Sequence, residues 1–371
     1  MVSPEHTAMM ARAIQLARRG LFSTHPNPRV GAVVVRQGRV VGKGWHERAG
    51  EGHAEVHALS RAGDQACGAT VYVTLEPCSH YGRTPPCAKA LIDAGVAHVV
   101  VATEDPNPVV SGRGIQLLRD AGIKVTVGVL AAEAEALNPG FMKRMRTGRP
   151  WVRVKVAASL DGRTAMASGE SQWITGPEAR QDVQRLRAMS DAILTGVGTV
   201  LADDPSLTVR RAELGDIGQA TEPSRQPLRI IADRDVRTPV DATILRGGDV
   251  HVFCASQSIP TANAQNLAAL GISLTGVDWT ETGIHLGQTL DVLGDLGINE
   301  VLVEAGPTLA GAFVQQGLAD ELWLYQAPVF LGSEGRPTVN LPLQAMAEKI
   351  EWQVADRRQI GQDLRWILRR R

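Results

Sequence analysis

Between Leu137 and Pro150 the chain loses the regular exchange of strand-like and helix-like segments that fills the residues on either side. There Asn138-Pro139-Gly140 and Arg149-Pro150 punctuate a short basic stretch. Such a break inside 371 residues predicts two domains, because a single core seldom grows to this length. The expected division is residues 1–147 and 148–371. Apolar residues make up 44% of the chain, enough for two cores and too many for a disordered chain. Basic and acidic side chains balance at 39 each and aromatic residues reach only 4%, so neither a phosphate-attracting field nor a set of base-stacking platforms is present. Nucleic acid is therefore not an expected partner. Four cysteines are too few for a disulfide framework in such a chain, which predicts reduced thiols in the cytoplasm. No apolar run reaches the length of a membrane span, and no membrane partner is expected. Glu5, His6 and Arg12 likewise interrupt any signal-peptide core. A homo-oligomer is the expected assembly.

The N-terminal stretch reads as a helix capped by Ser3, with Pro4 in its first turn, an apolar face of Met9, Ala13, Leu16 and Ala17, and a stop at Gly20. Val30 to Val35 and Val40 to Gly44 predict a hairpin turning at Gly38; Ala69 to Leu75 and His98 to Ala102 predict buried strands. Helices are expected over His53 to Ala62, Cys87 to Ala94 and Gly112 to Asp120. The whole reads as a three-layer α/β domain. A second alternation runs through Trp151 to Ala157, Ala192 to Thr195, Leu228 to Ala232, Val250 to Cys254 and Glu300 to Val303. Leu322 to Gln326 and Asp363 to Leu368 alternate faces, predicting an antiparallel edge on a mainly parallel sheet, and Arg210 to Pro227 reads as a long loop.

The densest chemistry lies in His53-Ala54-Glu55, Pro77-Cys78 and Cys87. One imidazole and two thiolates suit zinc, and three protein ligands leave a fourth position for water. Glu55 is then the proton carrier of a hydrolytic deamination, and His53 and Cys87 are expected to open helices. A purely structural zinc knot, closed by His57, Cys67 or His80, is the plainer alternative; Cys67 and Cys254 otherwise read as packed thiols.

H-x-E followed by P-C resembles the zinc cytidine deaminase superfamily, apart from the longer insertion before Cys87. HAEVHAL with EPCSHYGRTPPC is similar to the deaminase half of the bifunctional riboflavin-biosynthesis deaminase/reductases. That resemblance implies that Asn27, His46 and Asp105 hold the pyrimidine and its ribose phosphate. In the second half, KVAASLDGRTA (155–165), SQWITG (171–176), TVLADDPSLTVR (199–210) and VEAGPTLAG (303–311) resemble the reductase half, which is similar in fold to dihydrofolate reductase. No G-x-G-x-x-G opens a helix here and no P-loop is present; the strand into Glu304-Ala305-Gly306 and a helix from Pro307 instead suits an anion. The resemblance implies NADPH facing Ala157, Trp173, Thr199, Asp203 and a turn of Gly306, Pro307, Thr308, Leu309, Ala310 and Gly311. It places Ser171, Arg187, Leu207, Arg210 and Glu304 at the substrate, a phosphorylated ribosylaminopyrimidine, with Lys155 and Asp161 as candidates for polarising or protonating its sugar. Two rivals stand beside this reading: a nucleic-acid base deaminase with a C-terminal binding module, and a non-enzymatic zinc scaffold.

Overall fold

The computed structural model describes residues 3–79, 86–108, 110–215, 225–280 and 283–370. The chain falls into two compact units that part between Gly148 and Arg149.

In the first unit, α1 (Pro4–Ala17) starts where Ser3 Oγ accepts from the His6 N–H at 3.2 Å. Its buried stripe is Met10, Ala13, Ile14 and Ala17, one position round from the expected one; Met9 and Leu16 flank it. Both stripes have helical spacing, and the one carrying Ile14 is the one that docks. Strands β1 (Gly31–Arg36) and β2 (Arg39–Trp45) form the expected hairpin, with Gln37 and Gly38 both at positive φ (49° and 73°) in the turn. There follow α2 (Ala54–Ala62), β3 (Thr70–Val73), α3 (Cys87–Asp93), β4 (His98–Val101), α4 (Arg113–Asp120), β5 (Lys124–Val127), α5 (Ala131–Glu135) and α6 (Pro139–Thr147).

The five-stranded sheet has the order β2-β1-β3-β4-β5, and β3, β4 and β5 run parallel. Val71 and Val73 face the layer of α2, α3 and α4, while Tyr72 faces α1, giving three layers. The segment read as a break is in fact helical. Asn138 is the N-cap and Pro139 lies in the first turn of α6, so residues read as a break act as a start signal, and Gly148 ends the helix in the left-handed conformation.

The second unit contains β6 (Trp151–Ala158), β7 (Arg163–Ala165), α7 (Pro177–Ala188), β8 (Ala192–Gly196), α8 (Val197–Asp203), β9 (Leu228–Ala232), β10 (Val250–Ala255) and β11 (Ser273–Val277). Its nine-stranded sheet runs β11-β10-β9-β8, then Glu300–Val303, β6, Glu321–Gln326, Asp363–Arg370 and Trp352–Ile360. Glu321–Gln326 pairs antiparallel with Asp363–Arg370, which forms the expected antiparallel edge with Trp352–Ile360, while its other side lies parallel to β6. The helix Pro307–Gln315 returns the chain across the sheet from Glu300–Val303, so the following strand can enter in the same sense. Of the expected loop from Arg210 to Pro227, Arg211–Glu213 forms a 3₁₀ turn and residues 216–224 lie outside the described residues. Among the described residues, no helix is long and apolar enough to cross a membrane.

One close approach sets the position of α2. A Cβ on Gly44 would lie 2.2 Å from Ala54 O, and one on Gly42 would lie 2.2 Å from Ala58 O, so α2 rests directly on the backbone of β2. Replacing Gly44 by Ala should push the helix outward and cost on the order of 1–3 kcal/mol by overpacking. Denaturant unfolding checks this, and an unchanged midpoint would show that the helix can yield without cost.

Candidate functional site

Close packing of α2 on β2 brings the N-terminus of α2 to the carboxyl edge of the sheet. His53 is the N-cap of α2, Cys78 follows β3, and Cys87 is the first residue of α3, as the sequence predicts. Their ligand atoms lie within 4.8 Å of one another. His53 Nδ1 is 3.3 Å from Cys87 Sγ and 3.6 Å from Cys78 Sγ, and the Cys87 N–H donates to Cys78 Sγ at 3.3 Å. Hydrogen bonding with Cys87, followed by His53, holds the Cys78 thiol well below its usual range. Glu55, in the first turn of α2, is 3% exposed, and burial pushes its carboxyl up to about 7 against the opposing charge of His53.

The donor set itself tests for a metal. Two sulfurs and an imidazole nitrogen converge with geometry suited to zinc, and among the described residues no other group of this kind occurs. Of the alternative ligands, Cys67 is exposed and does not join the group, and His80 lies outside the described residues; Cys254 is a buried thiol of the second unit. His57 Nε2 is buried without a hydrogen-bond partner among the described residues.

His46 and Asn27 meet beside this centre. Asn27 Nδ2 is 3.2 Å from His46 Nε2, and the His46 ring stands edge-on to His53 at 5.3 Å. Desolvation keeps the His46 imidazole below its ordinary pKa, so its neutral form is favoured. Asp105 is buried and accepts from the Asn107 N–H at 2.8 Å.

Sequence reasoning passed over Glu76, whose only signal is its place before Pro77-Cys78. Its buried carboxylate accepts from the N–H groups of Asp105, Gly112, Gly114 and Ile115 at 2.9–3.2 Å. It thereby ties the Asp105 loop and the start of α4 to the strand end that carries Cys78.

In the second unit, Lys155 projects from β6 toward Glu304, with Nζ and Oε2 4.0 Å apart. Arg187 on α7 grips the same carboxylate with Nε and Nη2 at 2.6 and 3.0 Å, while its Nη1 donates to Thr208 O at 3.2 Å. All three guanidinium nitrogens are thus engaged. Burial opposes the Glu304 charge, but Arg187, then Lys155 and Arg210, hold the carboxyl below its usual range. Burial also lowers the Lys155 pKa, against the pull of Glu304. Leu207 is buried and Arg210 exposed on the same short loop.

The expected Gly306 to Gly311 turn is a helix start. Gly306 caps Pro307–Gln315, nothing lies within 4 Å of where a Gly306 Cβ would stand, and the first-turn N–H groups are available to an anion. Thr308 is exposed and Leu309 packs against Gly196 at the end of β8, close to where α8 carries Thr199 and Asp203. Ala310 lies in the core and a Cβ on Gly311 would meet Asn340 O at 2.2 Å, so neither offers a side chain to that edge. Ala157 extends β6 beyond Lys155, and Ser171 is half-buried. Trp173 is 68% exposed and stacks under Arg180 at 4.5 Å, which excludes core packing. The Asp161 carboxylate, the other candidate beside Lys155, accepts from the Ser159 hydroxyl, the Leu331 N–H and, at 2.8 Å, the Gly332 N–H, and so ties β6 to the loop at Leu331.

Comparison with known proteins bears on both units. Residues 3–103 match the cytidine and deoxycytidylate deaminase zinc-binding region, and residues 150–365 match the RibD C-terminal domain. The riboflavin biosynthesis protein RibD of Escherichia coli is 53% identical, with 96% of each chain covered. The chain belongs to the RibD family. A solved RibD structure from Acinetobacter baumannii matches with a TM-score of 0.91 at 48% identity over 99% of each chain. A deaminase/reductase from Thermotoga maritima matches with a TM-score of 0.86 at 33% identity over 99% of each chain. This RibD-family chain is a bifunctional enzyme of riboflavin biosynthesis, a zinc-dependent deaminase and an NADPH-dependent reductase.

Replacing Glu76 by Ala should strand four backbone donors in this RibD-family chain and destabilise the first unit by roughly 3 kcal/mol, as expected for lost charge-assisted hydrogen bonds. Urea unfolding followed by the loss of far-ultraviolet dichroism measures it, and a shift below about 1 kcal/mol would reduce Glu76 to a minor anchor.

Proposed function

We propose that the first unit deaminates 2,5-diamino-6-(5-phosphoribosylamino)pyrimidin-4(3H)-one and that the second reduces the ribosyl chain of the product to give 5-amino-6-(5-phosphoribitylamino)uracil. The observation that carries the assignment is the convergence of His53, Cys78 and Cys87 around one point with a buried Glu55 in the adjoining helical turn. The Thermotoga maritima relative is a deaminase and reductase acting on compounds of this kind.

In the deaminase unit, His53, Cys78 and Cys87 hold zinc, which supplies Lewis-acid activation of water at neutral pH. Glu55 is not a ligand in this assignment. It carries protons from the attacking water to the ring nitrogen and then to the departing ammonia, and its burial favours a group able to both take and give a proton. Asn27, His46 and Asp105 orient the pyrimidine from the surrounding loops. Asn27 and His46 hold each other, and Asp105 is held by the Asn107 N–H, which gives them fixed positions before substrate arrives.

In the reductase unit, the N-terminus of Pro307–Gln315, with Ala157, Thr199, Asp203 and Trp173, holds NADPH, which supplies the hydride. The open space at Gly306 and its free first-turn donors suit the cofactor's pyrophosphate. Ser171, Leu207 and Glu304 bound the substrate. Lys155, set by Glu304 and Arg187, donates a proton to the furanose oxygen as the C1′–O bond opens. Arg210 is the arginine placed for the sugar phosphate, since it is exposed and paired only at the surface with Glu213, whereas Arg187 is fully occupied. The free thiols suit a cytoplasmic setting.

Mass analysis of products with and without NADPH tests the order: loss of ammonia should precede gain of two hydrogens. Cys78→Ser or Cys87→Ser should sharply reduce zinc content, and retention of full zinc by both would refute the ligand assignment. Glu55→Gln should keep zinc yet lose about 10²–10⁴-fold in deamination, while reduction of supplied deaminated substrate continues at nearly the normal rate. Parallel loss of reduction in a folded variant would refute independent sites. Arg210→Ala should raise the reductase KM for phosphorylated substrate, with deamination intact; unchanged kinetics would refute its assignment.

A further inference from the structure

The loop from Asp204 to Arg210 has no helix or strand of its own, and from Leu207 its side chains alternate inward and outward, with Leu207 and Val209 buried, Thr208 half-buried and Arg210 exposed. Yet it belongs to neither the nine-stranded sheet nor any of the small ones. Its backbone groups are met by side chains instead. Gln226 accepts from the Val209 N–H at 2.7 Å and donates to Val209 O at 3.1 Å, reproducing with one carboxamide both bonds that a neighbouring strand would make. Gln184, 1% exposed on α7, accepts from the Arg210 N–H at 2.9 Å. Arg187 takes Thr208 O, and Asp204 anchors the start of the loop by accepting from the Thr243 N–H and hydroxyl, both at 2.7 Å.

We propose that Gln184 and Gln226 are positioning residues for the reductase, holding the backbone at Val209 and Arg210 so that Arg210 meets the substrate phosphate from a preformed loop. The inference rests on the assignment of Arg210 above. The effect is one of ordering cost. Leu207 sits at a φ of 48° and Asp204 at 39°, conformations that a side chain-bearing residue adopts only when its surroundings impose them. Without the two carboxamides the loop would sample other conformations, and substrate binding would have to supply its ordering. Neither glutamine needs to touch the substrate for this effect. Because the amide of Gln226 serves as donor and acceptor while Gln184 serves only as acceptor to Arg210, the two can be separated by substitution.

The test compares reduction of the phosphorylated substrate with that of its 5′-dephosphorylated form in the full-length, zinc-loaded protein. Gln184→Met and Gln226→Met keep side-chain length without hydrogen bonding, and each should raise KM for the phosphorylated substrate about 3- to 10-fold, the usual weight of one or two such bonds. The change in kcat should be smaller than that in KM. On the dephosphorylated substrate each variant should depart from the wild type by clearly less, since of this loop only Leu207 then meets the substrate. Gln226→Glu, which keeps the acceptor for Val209 N–H and loses the donor to Val209 O, should fall between wild type and Gln226→Met. A general structural defect would instead affect both substrates equally, and that result, or a fall in kcat with unchanged KM, would overturn the inference. Arg210→Ala serves as control. If it discriminates between the two substrates while the glutamine variants do not, this inference alone fails; if Arg210→Ala itself does not discriminate, the phosphate assignment fails and the inference falls with it.

Discussion

A parallel strand cannot turn directly into its neighbour, and that constraint governs where this chain can do chemistry. Each parallel strand must hand the chain to a helix or a long loop at its carboxyl end, leaving unpaired backbone groups and the starts of helices gathered along one edge. Cys78 leaves the end of β3, Cys87 and His53 stand at helix starts, and Glu304 follows the last residue of Glu300–Val303. Both units therefore concentrate polar groups where the fold itself has no further use for their hydrogen bonds. The closeness of α2 to β2 through Gly42 and Gly44 converts that general tendency into a fixed position for His53 and Glu55.

The two units stabilise their buried carboxylates differently. Glu76 is surrounded by backbone N–H groups, which have no mobile side chain and leave little freedom to rearrange. Glu304 is held by Arg187 and neighboured by Lys155, so its charge is balanced by groups that can themselves shift with a bound molecule. A static anchor suits the shell of a metal site, where ligand spacing must persist. A charge balanced by side chains suits a site whose substrate carries its own phosphate.

The residues that carry short-range chemistry were legible from sequence. The capped start of α1, the hairpin turn at Gly38 and the helix starts at His53 and Cys87 depend on neighbours within a few positions, and the strings around them also carry the family resemblance. What the sequence concealed depends on distant partners. Pro139 and Gly140 look like a break until Leu75 supplies a surface against which Phe141 and Met142 can pack. The direction of Glu321–Gln326 follows from pairing with β6, more than 160 positions earlier, and its alternating pattern is the same for either direction. Glu76 gives no periodic signal because its partners are backbone groups of a loop and of a helix start. The amide devices are similarly hidden: Asn138 pairs with both the N–H and the carbonyl of Arg29, as Gln226 does with Val209, and nothing local in either sequence indicates such a target.

The outermost strand, Trp352–Ile360, is mostly exposed and breaks its register with the adjacent strand between Val354 and Asp356. Asp356 is held by Arg365 and Arg358 beside that irregularity. An uninterrupted, apolar border here would offer a template on which another chain's strand could grow, whereas a bulge crowded with ionic side chains presents a mismatched and strongly hydrated rim. The strand that contributes least to the buried core thus gives the sheet, at this edge, a rim unsuited to growth by strand addition.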